Sequence, residues 1–287
     1  MTPVAALSNA ALRRSPTVLR STLALLAIFA VALLAVAPPT AEAAKRRPHA
    51  SDRPSPRPSE PAPPSIARPT PFSIGPLGAT APAGWSVQAL QKAEHKTQYD
   101  LVATDSGIVL RARADGAAAT LRHNVFVDPA LTPILHWRWR TQRMLQSADI
   151  GRKDVDDAVA RVCVLFDRDP EKLTLKERAL LKVDRARYGK DMPAATLCYV
   201  WDNRRPVGTV LDSARTPFVA LIVASSGEAD AGQWVRHRRD IAEDYRLAFR
   251  TDPPRIAAVT VEVDTDDTGE SATSHFGDIF FVGRSAQ

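Results

Sequence analysis

The sequence is short of the residues from which compact catalytic and metal signatures are built. Its 287 residues hold two cysteines and six histidines. There is no CxxC and no cysteine–histidine cluster, which argues against metal ligation by cysteine. His123, His136, His237 and His275 are scattered. Neither HxxxH nor HExxH spacing occurs, which argues against zinc. No GxSxG elbow, Walker loop or GxGxxG follows a strand-like run, so a nucleophilic hydrolase and a nucleotide enzyme lack their usual signals. An acid–base enzyme stays open, because a pair of carboxylates leaves no short motif.

Charge of one sign is also scarce where it would matter. The formal net charge of +6 arises before residue 72: residues 1–43 hold three Arg and one Glu, and residues 44–71 hold six Lys plus Arg against two acids. Residues 72–287 carry 29 basic and 29 acidic side chains. A nucleic-acid partner, which requires a basic surface that displaces counterions from phosphates, is therefore not expected. Long apolar runs are missing after residue 43, so no transmembrane segment is expected in the mature chain.

What is present begins with an export signal. Arg13, Arg14 and Arg20 form a basic n-region, Thr22 to Ala37 is almost wholly apolar, and Ala41-Glu42-Ala43 offers a small-x-small cleavage pattern. Residues 1–43 read as a signal peptide cleaved after Ala43, with an uncleaved anchor as the alternative. The mature chain is expected in the periplasm or cell envelope. Residues 44–71 contain nine prolines and almost no large apolar side chain, the composition of an extended, disordered, basic linker. It reads as a plain spacer, with binding to acidic envelope polymers as the alternative.

From Phe72 to residue 287 the pattern is mostly of period two, consistent with one domain. Strands are expected at Ile108–Ala114, Thr120–Asp128, Ile134–Gln142, Val159–Asp167, Thr196–Asp202, Pro217–Ser225, Ile256–Asp264 and Phe276–Gly283. Two helices interrupt them. One starts at a Thr174 cap with Glu177 three residues on, and the spacing puts Leu175, Ala179, Val183 and Ala186 on one face. The other repeats the device at Asp240 and Glu243, aligns Ile241, Tyr245, Ala248 and Phe249, and stops at Pro253-Pro254. Many strands, few helices and no strand–helix alternation indicate a mainly β fold: an antiparallel β-sandwich, jelly-roll-like, with one or two short helices in its connections. Cys163 and Cys198 lie in two strand-like runs that could pair, so a disulfide and two buried thiols are both open.

Acids gather at two strand ends. Asp264, Asp266, Thr268 and Gly269 match positions 1, 3, 5 and 6 of a calcium-binding EF-hand loop, but His275 stands at position 12 and the flanks are strands. The loop is not an EF-hand. An irregular calcium site on Asp264, Asp266 and Asp267 is one reading, and an ordinary inter-strand turn is the other. Asp156 and Asp157 open the strand after "ADIGRKD" and become ligand-binding candidates, or half of a hydrolytic carboxyl pair, if they meet that loop. Trp201 and Trp234 lie beside polar turns and are candidates for exposed aromatic, ligand-binding contacts, whereas Trp137 and Trp139 share one strand face and read as core, with a sugar-stacking platform as the alternative if exposed. The arginines between them, Arg138 and Arg140, share the other face with His136. There they could clamp an acidic ligand or pair with acids on neighbouring strands.

Taken together and in this order, "LHWRWR", "ADIGRKDVDDAVARVCVLFD", "CYVWD", "SGEADAGQWVRHRRDIAEDYRLAF" and "VTVEVDTDDTGESATSHFGDIFF" resemble the exported bacterial family catalogued as domain of unknown function 3047, over most of residues 83–283. The resemblance implies a signal peptide followed by one β-rich domain, and implies no activity. The helical insertion around Leu173 to Gly189 and the long proline-rich tether depart from it. The functional expectation is an exported, non-catalytic binding domain for a glycan or similar polar ligand. A carboxylate-dependent glycan hydrolase and a structural or assembly protein that binds other proteins are the alternatives.

Overall fold

Valine, isoleucine, threonine and aromatic side chains at alternate positions favour a pleated surface buried on one face, and this pattern builds most of the molecule. The computed structural model describes residues 68–89 and 93–284. In chain order its strands are β1 (Trp85–Ala89), β2 (Gln98–Thr104), β3 (Gly107–Asp115), β4 (Ala118–Val127), β5 (Ile134–Thr141), β6 (Ala158–Phe166) and β7 (Thr196–Asp202). β8 (Val210–Asp212), β9 (Val219–Ser226), β10 (Val235–Asp240), β11 (Ile256–Asp264), β12 (Ser271–Phe276) and β13 (Phe280–Val282) follow. Helix α1 (Leu175–Tyr188) lies between β6 and β7, and α2 (Ile241–Phe249) follows β10. The expected signal peptide and nearly all of the linker lie outside the described residues. The fold engages the chain slightly before residue 72: Pro69 is buried, and the Thr70 carbonyl accepts a hydrogen bond from Trp85 Nε1 at 2.8 Å.

Seven strands form one sheet in the order β1-β4-β11-β6-β7-β9-β8. Six form the other, β10-β5-β12-β3-β2 with β13 beside β5. The chain passes repeatedly between the two, giving an antiparallel, jelly-roll-like β-sandwich in which only the β7–β9 pairing is parallel among these strands. Inner-face residues such as Leu121, Val162, Tyr199, Val261, Leu110 and Trp139 fill the space between the sheets. Trp137 and Trp139 belong to this core, at 3% and 0% exposure.

The helices are capped where the sequence indicates. Thr174 and Glu177 make a reciprocal capping box, and the Asp240 carboxylate accepts from the Ala242 and Glu243 amides. The buried face of α1 differs from the expected one. Leu175 and Val183 are exposed, while Leu181 and Asp184 face inward. Leu181 packs with Leu173, Ala194 and Phe218 in a small separate cluster, and Asp184 accepts a 2.6 Å bond from Thr216 Oγ1. A polar anchor thus sets the rotation of this helix. The single strand expected at Phe276–Gly283 is interrupted by an irregular stretch, residues 277–279, between the end of β12 and β13. Cys163 and Cys198 sit opposite each other on β6 and β7 and form a disulfide.

Candidate functional site

On β11, side chains that point away from the core come at every second position, and three consecutive ones are polar: Thr260, Glu262 and Asp264. The neighbouring strands contribute Thr120 and Arg122 from β4 and Arg161 from β6. These residues floor a cleft of about 420 Å³ on the outer face of the seven-stranded sheet. The disulfide, Leu165 and Leu221 give the floor an apolar half, and Tyr188 and Met192 from the end of α1 and the segment after it form a wall. The volume falls within the range of small-ligand sites, and the mixed lining supplies contact area with a few orienting polar groups.

Arg161 organises the carboxylates. Its Nη1 lies 3.0 Å from Asp264 Oδ2 and 3.8 Å from Glu262 Oε2, and its Nη2 donates to the Asp156 carbonyl. Glu262 Oε1 also accepts from Thr120 Oγ1 at 3.1 Å and Thr260 Oγ1 at 3.2 Å. Burial alone would lower the Arg161 pKa, but Asp264 and Glu262 hold it above the ordinary arginine value.

At one end of the cleft the two acid-rich segments meet, a convergence on which the sequence reading was conditional. Asp157 clamps the turn after β11: its Oδ2 accepts from the Thr268 amide at 2.8 Å and from Thr268 Oγ1 at 2.7 Å, and its Oδ1 from the Asp267 amide at 3.3 Å. Arg215 bridges the Asp156 and Asp267 carboxylates. The hydrogen bond to Asp156 raises the Arg215 pKa against the effect of burial. Asp267 is pushed up to about 6 because burial outweighs its ion pair with Arg215. Burial also drives the Asp264 carboxyl well above the usual range; Arg161 opposes this, and Asp266 and Asp157 reinforce it. Oxygens of Asp157, Asp264 and Asp266 lie within 4.8 Å of one another, a grouping that could hold a metal ion; Asp157 stands where Asp267 was expected, because the Asp267 carboxylate turns to Arg215. Asp264 Oδ1 is buried with no hydrogen-bond partner.

Two expected residues are placed elsewhere. Trp201 is 1% exposed and its Nε1 donates to the Gly227 carbonyl, so it belongs to the core and presents no stacking face. Its proximity to a polar turn misled because the last residues of β7 stay buried on both faces. Trp234 precedes β10, on the other sheet, and is half-buried beneath the guanidinium groups of Arg138 and Arg140 at 4.6 and 5.1 Å from the ring centroid. It does not line the cleft. The sequence reading missed Glu262, Arg161, Arg122 and Arg215. A lone arginine inside the apolar run "VARVCVLF" was the available signal for Arg161.

The fold and site define a class: a two-sheet β-sandwich with a polar cleft across the outer face of its larger sheet. Within that class, the chain belongs to the family described as "Protein of unknown function (DUF3047)", which matches residues 83–280. No curated protein matches the sequence. Among solved structures, an arabinose-bound α-L-arabinofuranosidase is 9% identical with a TM-score of 0.36, covering 74% of this chain and 25% of its own. This chain thus spans about a quarter of that enzyme's length. The xyloglucanase domain of an effector from Sinorhizobium fredii, in complex with cellobiose, is 8% identical with a TM-score of 0.38, covering 73% of this chain and 99% of its own. An endo-1,4-β-glucanase is 14% identical with a TM-score of 0.36, covering 74% and 98%. Likeness at this level carries no argument about ligand or activity.

Proposed function

We propose that this is an exported envelope protein whose sandwich domain holds a glycan, or a similarly polar ligand, in the outer-face cleft without cleaving it. The cleft itself is the observation that carries the reading: a concave, half-apolar surface with hydroxyls, two arginines and Glu262 spaced along its floor suits a ligand rich in hydroxyl groups. The state of the acids favours binding over chemistry. Asp157 is occupied by three donors and Asp156 and Asp267 are tied to Arg215, so three of the five carboxylates expected to supply a hydrolytic pair, with Asp264 and Asp266 the other two, are engaged in holding the rim together. The disulfide supports export, since such bonds persist in oxidising compartments. No described helix is long and apolar enough to cross a membrane.

Calcium is the proposed occupant of the Asp157, Asp264 and Asp266 group. Three hard oxygens and a carboxyl whose charge is disfavoured by burial would gain from a divalent cation there. In a thermal melt at pH 7.5, calcium is expected to raise the midpoint over a chelator-treated sample; identical midpoints would reject the cation.

A hydrolase is the second reading, favoured by one observation: Glu262 and Asp264 face the cleft from alternate positions of β11 and share Arg161. Glycan-array binding with no release of reducing ends after long incubation supports the binding domain. Release that disappears in Glu262→Gln would overturn it in favour of the hydrolase.

A further inference from the structure

The outer face of the six-stranded sheet carries a second feature, unrelated to the cleft. Alternate residues of β5 point outward as His136, Arg138 and Arg140, those of β10 as Arg236 and Arg238, and those of β3 as Arg111 and Arg113. The strand register sets them side by side: Arg138 opposite Arg236, Arg238 opposite His136, and His275 of β12 between Arg140 and Arg111. Like charges directly opposite each other across an antiparallel pair destabilise a sheet. A row of arginines on neighbouring strands would ordinarily be relieved by interleaved acids. Here the relief is confined to one edge, where Asp100 of β2 pairs with Arg111 and approaches Arg113 at 4.0 Å. Among the described residues, no carboxylate lies within 4.0 Å of Arg138, Arg140, Arg236 or Arg238.

Two of these guanidinium groups, those of Arg138 and Arg140, are also held in place. Arg138 donates to the Ser106 carbonyl at 3.1 Å and, with Arg140, lies over the Trp234 ring. A Cβ on Gly277 would run into the Arg138 side chain, so a glycine between β12 and β13 gives Arg138 its seat. Beyond Arg113 the face continues into a depression of about 850 Å³ lined by Lys96, Arg113 and Arg143, with Asp115 the acid there and bonded to Ser271. Burial, followed by Arg140 and Arg111, drives His275 down to about 4, so the imidazole adds no charge at neutral pH.

We infer that this face binds a carboxylate-bearing polysaccharide, with the Arg138, Arg140, Arg236 and Arg238 guanidinium groups acting as forks for its acid groups. Planar guanidinium groups match carboxylates two bonds at a time, and a polymer supplies several acids to a surface that repels itself when empty. A single-stranded nucleic acid fits less well. Such binding relies on open aromatic faces, and here Trp234 is covered by guanidinium groups while Phe280 is stacked on His136.

Polygalacturonate is the probe, titrated against the full chain at two salt concentrations. Binding is expected to weaken with salt and to fall by roughly tenfold or more in Arg138→Gln/Arg236→Gln. Lys172→Gln/Lys176→Gln, at exposed positions outside both this face and the cleft, should bind as the parent does. Arg236→Gln/Arg238→Gln, confined to exposed positions of the edge strand β10, provides a second variant should the first fold poorly. No binding by the parent, unchanged binding by the folded variants, or tighter binding of an oligonucleotide than of polygalacturonate would overturn the inference.

Discussion

His237 is a histidine held in its neutral form by the core around it. Its ring stacks on Trp137 at 4.7 Å, meets Trp139 edge-on at 4.9 Å and shares a 3.1 Å bond with Ser225 Oγ. Burial, with Arg239 adding like charge, lowers its pKa to about 4. The unfolded chain therefore takes up a proton at higher pH than the folded one. This contribution to stability is complete above about 6.5 and is lost as pH falls toward 4. Asp264 and Asp267 act with opposite sign: their raised values let the folded state hold extra protons, so their contribution falls as pH rises from about 4, for Asp267 up to about 6. The raw pH curve mixes both, and difference curves separate them. His237→Gln should flatten the loss between pH 6.5 and 4 in urea melts, whereas an unchanged difference curve would place the pH sensitivity elsewhere. Asp266→Asn removes a like charge beside Asp264 while leaving the Arg161 pair intact. It is expected to raise the melting midpoint at pH 8 in chelator and to abolish any response to calcium, and a lower midpoint would show that the pair is not frustrated.

Among the elements, β6 and β7 are the centre of the larger sheet and their disulfide closes a sequence separation of 35 residues. Replacing both cysteines by alanine should cost about 3–4 kcal/mol by the loop-entropy argument, read as a shift in the denaturant midpoint. Helix α1 is the opposite case, since it is held by one small cluster, the Thr216–Asp184 bond and a few polar contacts such as Arg185 Nε to the Met192 carbonyl. Asp184→Ala should cost about 1–3 kcal/mol and should weaken ligand binding in the cleft, because the segment beyond α1 forms its wall. Retained affinity would detach the insertion from the site. The strands that could be read from the sequence, β3 to β7, β9 and β11, are buried on one or both faces, as is β2, whose two buried residues, Tyr99 and Leu101, were too few to mark it. β1, β2, β8 and β10 escaped notice. β1 and β8 present little but half-buried and exposed residues, so no apolar alternation marks them. β10 reads "VRHRRD" and pairs only through β5. β12 begins with "SATS", whose inward Ser274 is satisfied across the core by the Val159 carbonyl at 2.6 Å, a contact no local pattern contains.

For the molecule as a whole, the sandwich separates two outer surfaces that sequence order intermingles. The two acid-dense segments, at Asp156 and Asp157 and from Asp264 to Asp267, were legible as strand ends, but their meeting was not, because the strand order that joins them is no local pattern. Nor was the cleft floor, because Thr120, Arg122, Arg161 and Glu262 come from three strands brought together only by the order β4-β11-β6. The charge of residues 72–287 sums to zero, which concealed an arginine-rich face on one sheet and acids concentrated at the rim of the other. We propose that ligand is held in the outer-face cleft of the larger sheet. Amide chemical-shift mapping of the folded domain, titrated with a panel of neutral oligosaccharides while reducing ends are assayed, tests it most directly. Perturbations centred on Thr120, Arg122, Glu262 and Tyr188 with no sugar released are predicted; shifts clustered on β5 and β10, or none with any member of the panel, would contradict it.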